Sequence, residues 1–227
     1  MKQRPQARNK MKTTEKVRLI IEELKKLYPI AVCGLTYDET PYKLVVATIL
    51  SAQTTDKSVN KITPELWEKY PSVDLLAQAN RSDVEIILKS IGLFRNKSKF
   101  IIGAAEYMSI HGIPDSIIEL TKIPGVGRKT ANVVLGEIFK QPAITTDTHV
   151  IRLSNRLGLV KEKNPVKIEM ELKKIIPEME QTLFSHRIIT HGRTICFARK
   201  PACSICSLQT VCSYKKTEAR YKNRPPL

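Results

Sequence analysis

No apolar run in this chain of 227 residues approaches the ~20 that a membrane-spanning helix requires, so no bilayer crossing is expected. Alternating apolar and polar residues of the kind that mark strands are scarce, which argues against a β-rich fold. No internal repeat is visible. The basic start, Met1 to Lys12, leads into an amphipathic segment rather than a continuous apolar one, so a secretory leader is excluded and the cytoplasm is the expected compartment. Acidic residues are in short supply, with 22 Asp plus Glu against 38 Lys plus Arg and a formal charge of +16. Such an imbalance draws polyanions and favours phosphate contacts through counterion release. Nucleic acid is the partner it suits best; ribosome attachment, or a merely basic housekeeping protein, is the plainer explanation.

Cysteine is sparse as well. There are five, and four of them, Cys196, Cys203, Cys206 and Cys212, fall in the pattern C-x6-C-x2-C-x5-C. Loops this short let four thiolates converge on one soft centre, either an iron–sulfur cluster or a structural zinc. Zinc sites usually carry two C-x2-C knuckles, and only Cys203 and Cys206 form one here, which favours iron–sulfur. Two disulfides would suit a small secreted chain, which this is not. Cys33 stands apart and reads as a small core or near-surface thiol.

What the chain has in abundance is helical periodicity. Val17, Ile20, Ile21, Leu24 and Leu27 follow i, i+3, i+4, i+7 spacing and define a first amphipathic helix. Pro41 opens a second, with Leu44, Val45, Val46, Ile49 and Leu50 so apolar that it is expected to be central and buried. Further helices are expected over Asp56–Tyr70, Ser72–Ala79, Arg81–Ile91, Lys97–His111, Ser116–Thr121, Arg128–Phe139, Thr148–Leu157, Pro165–Ile176 and Glu178–Gly192. Prolines 64, 71, 114, 124, 142, 165 and 177 are expected at or near the junctions. The fold class is all-α. Residues 1–12 read as a basic disordered arm and residues 213–227 as a basic tail.

Within this frame, Ile123-Pro124-Gly125-Val126-Gly127 reads as a tight hairpin between two helices. Pro124 fixes φ, and glycines at i and i+2 permit positive φ and close approach of another backbone. The helix starting at Arg128 then offers free N–H groups and a positive dipole end, where a phosphate can sit. An ordinary helix connection is the plainer reading of such a turn; Arg128 and Lys129 beside it, in so basic a chain, favour a hook for a DNA backbone. Lys129 lies in the first turn of that helix and is a candidate amine nucleophile. A simple phosphate contact would serve it equally. Asp147, at the start of the helix beginning with Thr148, suits an N-cap, and a carboxylate fixed there can also move protons or stabilise a cation.

The run Leu120 to Leu135 (L-T-K-I-P-G-V-G-R-K-T-A-N-V-V-L), with Asp147-Thr148-His149 and the four-cysteine tail, resembles the endonuclease III family of the helix-hairpin-helix DNA glycosylase superfamily, in its iron–sulfur subclass. The resemblance extends to Leu50-Ser51-Ala52-Gln53 with Thr55-Asp56, to Gly92-Leu93-Phe94 and to His191-Gly192-Arg193, covering roughly residues 14 to 215. Ile123 and Thr146 are mild departures, standing where the family usually has leucine and valine.

This resemblance implies a DNA base-excision repair enzyme: a bifunctional N-glycosylase that removes oxidised pyrimidines, and an AP lyase that cuts 3′ to the abasic site by β-elimination through a lysine Schiff base. Lys129 matches the nucleophile and Asp147 the assisting carboxylate. Gln53 matches the residue that fills the space left by an extruded nucleotide, and Leu93 the wedge in the opposing stack. Gly125, Val126, Gly127 and Arg128 match the hairpin that holds the DNA backbone. Arg199 and Lys200 lie in the loop that touches phosphates. Cys196, Cys203, Cys206 and Cys212 match the ligands of a [4Fe–4S] cluster with a structural, DNA-positioning role. The partner implied is double-stranded DNA carrying damaged pyrimidines or abasic sites, bound by a monomer.

The implied architecture has two lobes. A six-helix module spans residues 34–141, and the cluster lobe joins residues 13–33 with 142–212. The groove between them would bring Lys129 and Asp147 face to face. Two other readings stand beside this one. A mismatch-specific adenine glycosylase would lack the lysine and carry a further C-terminal domain, whereas this chain ends soon after Cys212. A non-catalytic helix-hairpin-helix module would have no reason to pair a lysine with an aspartate at this spacing.

Overall fold

The computed structural model describes residues 11–214, so the expected arm over 1–12 and tail over 213–227 lie outside it, apart from two residues of each. Among the described residues there are only helices and connections. They are α1 (Thr13–Leu27), α2 (Pro41–Leu50), α3 (Asp56–Lys69), α4 (Val73–Ala77), α5 (Arg81–Leu88), α6 (Phe94–His111), α7 (Ile117–Leu120), α8 (Arg128–Glu137), α9 (Thr148–Leu157), α10 (Pro165–Ile175) and α11 (Gln181–Thr194), with short 3₁₀ turns near the cysteines. None of these helices is long and apolar enough to cross a membrane. The chain divides into two compact units, one made of residues 32–145 and the other of residues 1–31 with 146–227.

In the unit of residues 32–145, α2 is the axis. Its run from Leu44 to Leu50 is buried throughout, and α3, α6 and α8 pack around it. Apolar residues on every side can be satisfied only by neighbours on every side. Val45, Val46, Ile49 and Leu50 join Leu66, Leu88, Ile101, Ala104, Leu120 and Val134 in one core. Side-chain caps fix several helix starts: Thr55 accepts from the N–H of Ser58, Ser72 from Leu75, Asn80 from Ser82 and Ser116 from Glu119.

Two elements depart from the periodicity. Pro64 lies inside α3 rather than at a junction, where it removes one backbone N–H from the helix without ending it. Helix α6 begins at Phe94, not Lys97. Leu93 adopts the left-handed conformation (φ 60°, ψ 26°), and its carbonyl accepts from the N–H of both Asn96 and Lys97, which winds the helix one turn earlier.

In the other unit, α1, α10 and α11 pack together and α9 lies against α11. Gly192 permits that last approach: a Cβ there would fall 2.7 Å from Cδ2 of His149 and 3.1 Å from a guanidinium nitrogen of Arg152. The glycine of His191-Gly192-Arg193 is therefore a packing requirement of α11 against α9. Arg187, on the same helix, donates to the carbonyl of Tyr28 at 3.2 Å and tethers the end of α1.

Candidate functional site

The hairpin leading into α8 is built from inside. Val126 is buried and its N–H donates to the carbonyl of Ile123 at 3.0 Å, so this residue closes the turn. Pro124 rests on Gly103 of α6. The two glycines prove unlike. Gly125 has φ +79°, and a Cβ on it would lie 2.9 Å from Cβ of Phe100 and 3.1 Å from Cγ2 of Ile49. Gly127 has an ordinary extended backbone (φ −93°, ψ 174°), and nothing within 4 Å would meet its Cβ. Gly125 answers to the fold, whereas at Gly127 nothing among the described residues would obstruct a side chain. No side chain caps α8 at Gly127, which leads into a part-exposed Arg128 and an exposed Lys129.

Gln53 and Leu93 belong to the same unit and share an unusual backbone. Gln53 has φ 53° and Leu93 φ 60°, a conformation that costs a non-glycine residue about 1–2 kcal/mol. Both are exposed, Leu93 to 53% of its surface. Strain of this kind persists only where the surroundings impose it, and it gathers at functional sites.

Asp147 caps α9 with one oxygen. Its Oδ1 accepts from the N–H groups of His149 and Val150, both at 2.8 Å, while Oδ2 faces Nδ1 of His149 at 3.0 Å. The carboxylate is thus fixed in orientation, with one oxygen shared only with an imidazole. Further along α9, Arg152 donates to the carbonyls of Gly192 and Cys196, each at 3.0 Å. Arg156 donates to Phe197 O at 2.6 Å, to Ala198 O at 2.8 Å and to Cys196 Sγ at 3.3 Å, and lies over the ring of Tyr214. These two arginines shape the loop that carries Arg199 and Lys200, both exposed, Lys200 with φ 51°. Nothing in the spacing of Arg152 and Arg156 signals contact with backbone some forty residues on; sequence reading passed them over, as it did His149 as Asp147's partner.

Cys196, Cys203, Cys206 and Cys212 are all partly buried and line one cavity of about 30 Å³, walled by Leu153, Leu157, Ile195 and Leu208. Burial raises the pKa of the Cys206 thiol; a hydrogen bond from the backbone at Leu208 opposes this, and the other three thiols add to it. Nε2 of His191 lies 3.5 Å from Cys206 Sγ, and its Nδ1 lies 3.0 Å from the hydroxyl of Tyr28. Burial pushes the His191 imidazole down to about 4, so it meets the sulfur as a neutral ring. Four thiols in an apolar hollow, approached by N–H groups, fit a group bound through thiolate sulfur. Among the described residues no three His, Cys, Asp or Glu side chains are grouped as for a single ion. Cys33 takes no part; burial, the largest influence, pushes its thiol up to about 11.

Residues 46–178 match the HhH-GPD superfamily of base excision DNA repair proteins. The chain is 49% identical over 213 residues to endonuclease III of Synechocystis sp., covering 92% of this chain and 95% of that protein. Among solved structures it is similar to a trapped endonuclease III–DNA covalent intermediate, with a TM-score of 0.85 and 39% identity. A non-covalent endonuclease III–DNA complex is similar with a TM-score of 0.86 and 39% identity, and each of the two comparisons covers 92% of this chain and 100% of the other.

The glycine contrast gives an expected outcome for stability. Gly125→Ala should lower it by about 1–3 kcal/mol, from positive φ and overpacking together, and Gly127→Ala should leave it within about 0.5 kcal/mol. Denaturant titration of the two variants checks this. In a second test, Cys33 should resist iodoacetamide at about pH 8 in the folded protein and react fully in concentrated guanidinium, read by peptide mass mapping.

Proposed function

The chain belongs to the endonuclease III family of the HhH-GPD superfamily, and we propose that it excises oxidised pyrimidines from double-stranded DNA and then cleaves the strand 3′ to the abasic site. Membership makes it a base-excision DNA glycosylase and AP lyase that binds DNA. The observation that carries the reading to this chain's own residues is Gly127. A glycine that the fold does not require, at the open end of a helix and two residues before an exposed lysine, is explained by another backbone approaching from outside.

In this reading a DNA phosphate lies on the amides at the start of α8, and Gly125 and Val126 hold those amides in place. Arg128 adds charge on one side, and Arg199 and Lys200 do so on their own loop. Lys129 is the nucleophile. Its amine attacks C1′ of the damaged nucleotide, the C1′–N bond breaks and the base departs. Opening of the sugar ring leaves an imine between Nζ and C1′. Loss of a C2′ proton then expels the 3′ phosphate, and water releases the lysine. Asp147 stabilises the positive charge that gathers on the sugar, its orientation fixed by the two amides and His149. Gln53 and Leu93 fill the space left in the duplex, which offsets part of the cost of extruding a nucleotide.

Cys196, Cys203, Cys206 and Cys212 would hold a [4Fe–4S] cluster in this reading. Their shared apolar cavity, lined by all four thiols, supports it. Bound there, such a group would cross-link the four cysteines and hold the Arg199–Lys200 loop between Cys196 and Cys203. The protein acts as a monomer.

Borohydride trapping on a duplex carrying one abasic site tests the chemistry. Native protein should form a covalent adduct and Lys129→Ala none; an adduct with the alanine variant, or none with native protein, sinks the proposal. Asp147→Asn separates catalysis from capping, because asparagine caps as well as aspartate. It should keep stability within about 0.5 kcal/mol and slow trapping about a hundredfold. Gly127→Ala should fold normally yet bind duplex about tenfold more weakly in a fluorescence anisotropy titration.

A further inference from the structure

Helix α6 buries an ammonium that neither the chemistry nor any ion pair uses. Lys97 is only 3% exposed, and its Nζ donates to the hydroxyl of Thr54 at 2.5 Å. Among the described residues no carboxylate pairs with it. Desolvation lowers its pKa, the mark of a charge that has left water without an opposite charge to meet. A methionine would fill the same space without that penalty, so the charged head has work that packing does not explain.

Its two attachments suggest what that work is. The side chain reaches Thr54, the residue directly after Gln53. The backbone N–H of Lys97 donates to the carbonyl of Leu93 at 3.0 Å and closes the turn that presents that leucine. One residue therefore joins two separate turns, at sequence positions forty apart, and each turn carries an exposed side chain on a left-handed backbone (φ 53° at Gln53, φ 60° at Leu93). At Gly92, just before Leu93, nothing among the described residues lies within 4 Å of where a Cβ would stand.

We propose that Lys97 is a positioning residue that ties the Gln53 turn to the Leu93 turn, so that both side chains enter the duplex as one unit. The proposal rests on the reading that Gln53 and Leu93 occupy the opened duplex. Without the tie, each left-handed turn relaxes separately, and insertion requires two independent ordering events in place of one.

The test uses two substrates, a duplex carrying one thymine glycol and a single strand carrying one abasic site. A single strand has no opposing stack to part, so it reports on Lys129 alone. Lys97→Met keeps the length and removes the charge; Thr54→Val removes the acceptor and Thr54→Ser restores it. Lys97→Met and Thr54→Val should each slow single-turnover excision from the duplex about tenfold, with borohydride trapping on the single strand unchanged and Thr54→Ser close to native. A 2-aminopurine beside the lesion should brighten later in both slow variants. In a Leu93→Ala background, Lys97→Met should add little further loss.

Equal losses on both substrates, additivity with Leu93→Ala, or native duplex rates in the variants would overturn the proposal. If Lys97→Met does not fold, the Thr54→Val and Thr54→Ser pair decides alone. Failure of the native protein to trap on either substrate sinks the functional reading itself, whereas native trapping with indifferent variants sinks only the tie.

Discussion

Asp147 closes the N-terminus of α9 with a single oxygen, and much of its unit is referred to the helix fixed in that way. Two backbone amides at 2.8 Å account for Oδ1, an interaction worth about 1 kcal/mol in a typical cap. The same helix then holds four carbonyls and a sulfur through Arg152 and Arg156. Hydrogen bonds from a charged donor contribute about 1.5–3 kcal/mol each, so this grip outweighs the cap. The cap sets the direction of the helix axis, and the arginines transfer that direction to residues 196–198. The Asp147 carboxylate and the loop over residues 196–198 thereby share one rigid reference.

The two glycines of the hairpin meet different surroundings within a single motif. At Gly125 both backbone conformation and crowding by Phe100 exclude a side chain; at Gly127 neither does. A sequence presents them as equivalent letters. Only the space around each tells that folding requires the first and leaves room for a side chain at the second. Gly192 falls on the folding side, since His149 and Arg152 occupy the place of its missing Cβ.

Much of the architecture was legible because the relevant physics is local. The periodicity of α1 and the apolar run of α2 state their burial directly, and the cysteine intervals announce a thiolate site. Pro64 misleads because a helix can absorb one missing N–H when its flanks are well packed. The early start of α6 was hidden because it depends on Leu93 adopting a left-handed backbone, which propensity assigns to glycine. Lys97 was readable only as a helix residue, since long charged side chains ordinarily reach solvent and nothing in the neighbouring letters reports its burial. Arg152, Arg156 and His191 act on partners distant in sequence, and no spacing rule connects them.

The unit that carries the cysteines is assembled from the two ends of the chain, with Lys16 donating to Ser213 at 3.0 Å and Ser213 to the carbonyl of Leu157. During synthesis α1 leaves the ribosome first but has no partner from its own unit until residues beyond 146 follow. Residues 32–145 emerge complete in between and can condense alone. The cysteine unit consequently lacks the contact of Lys16 with Ser213 until the chain has been made almost to the end of the described residues.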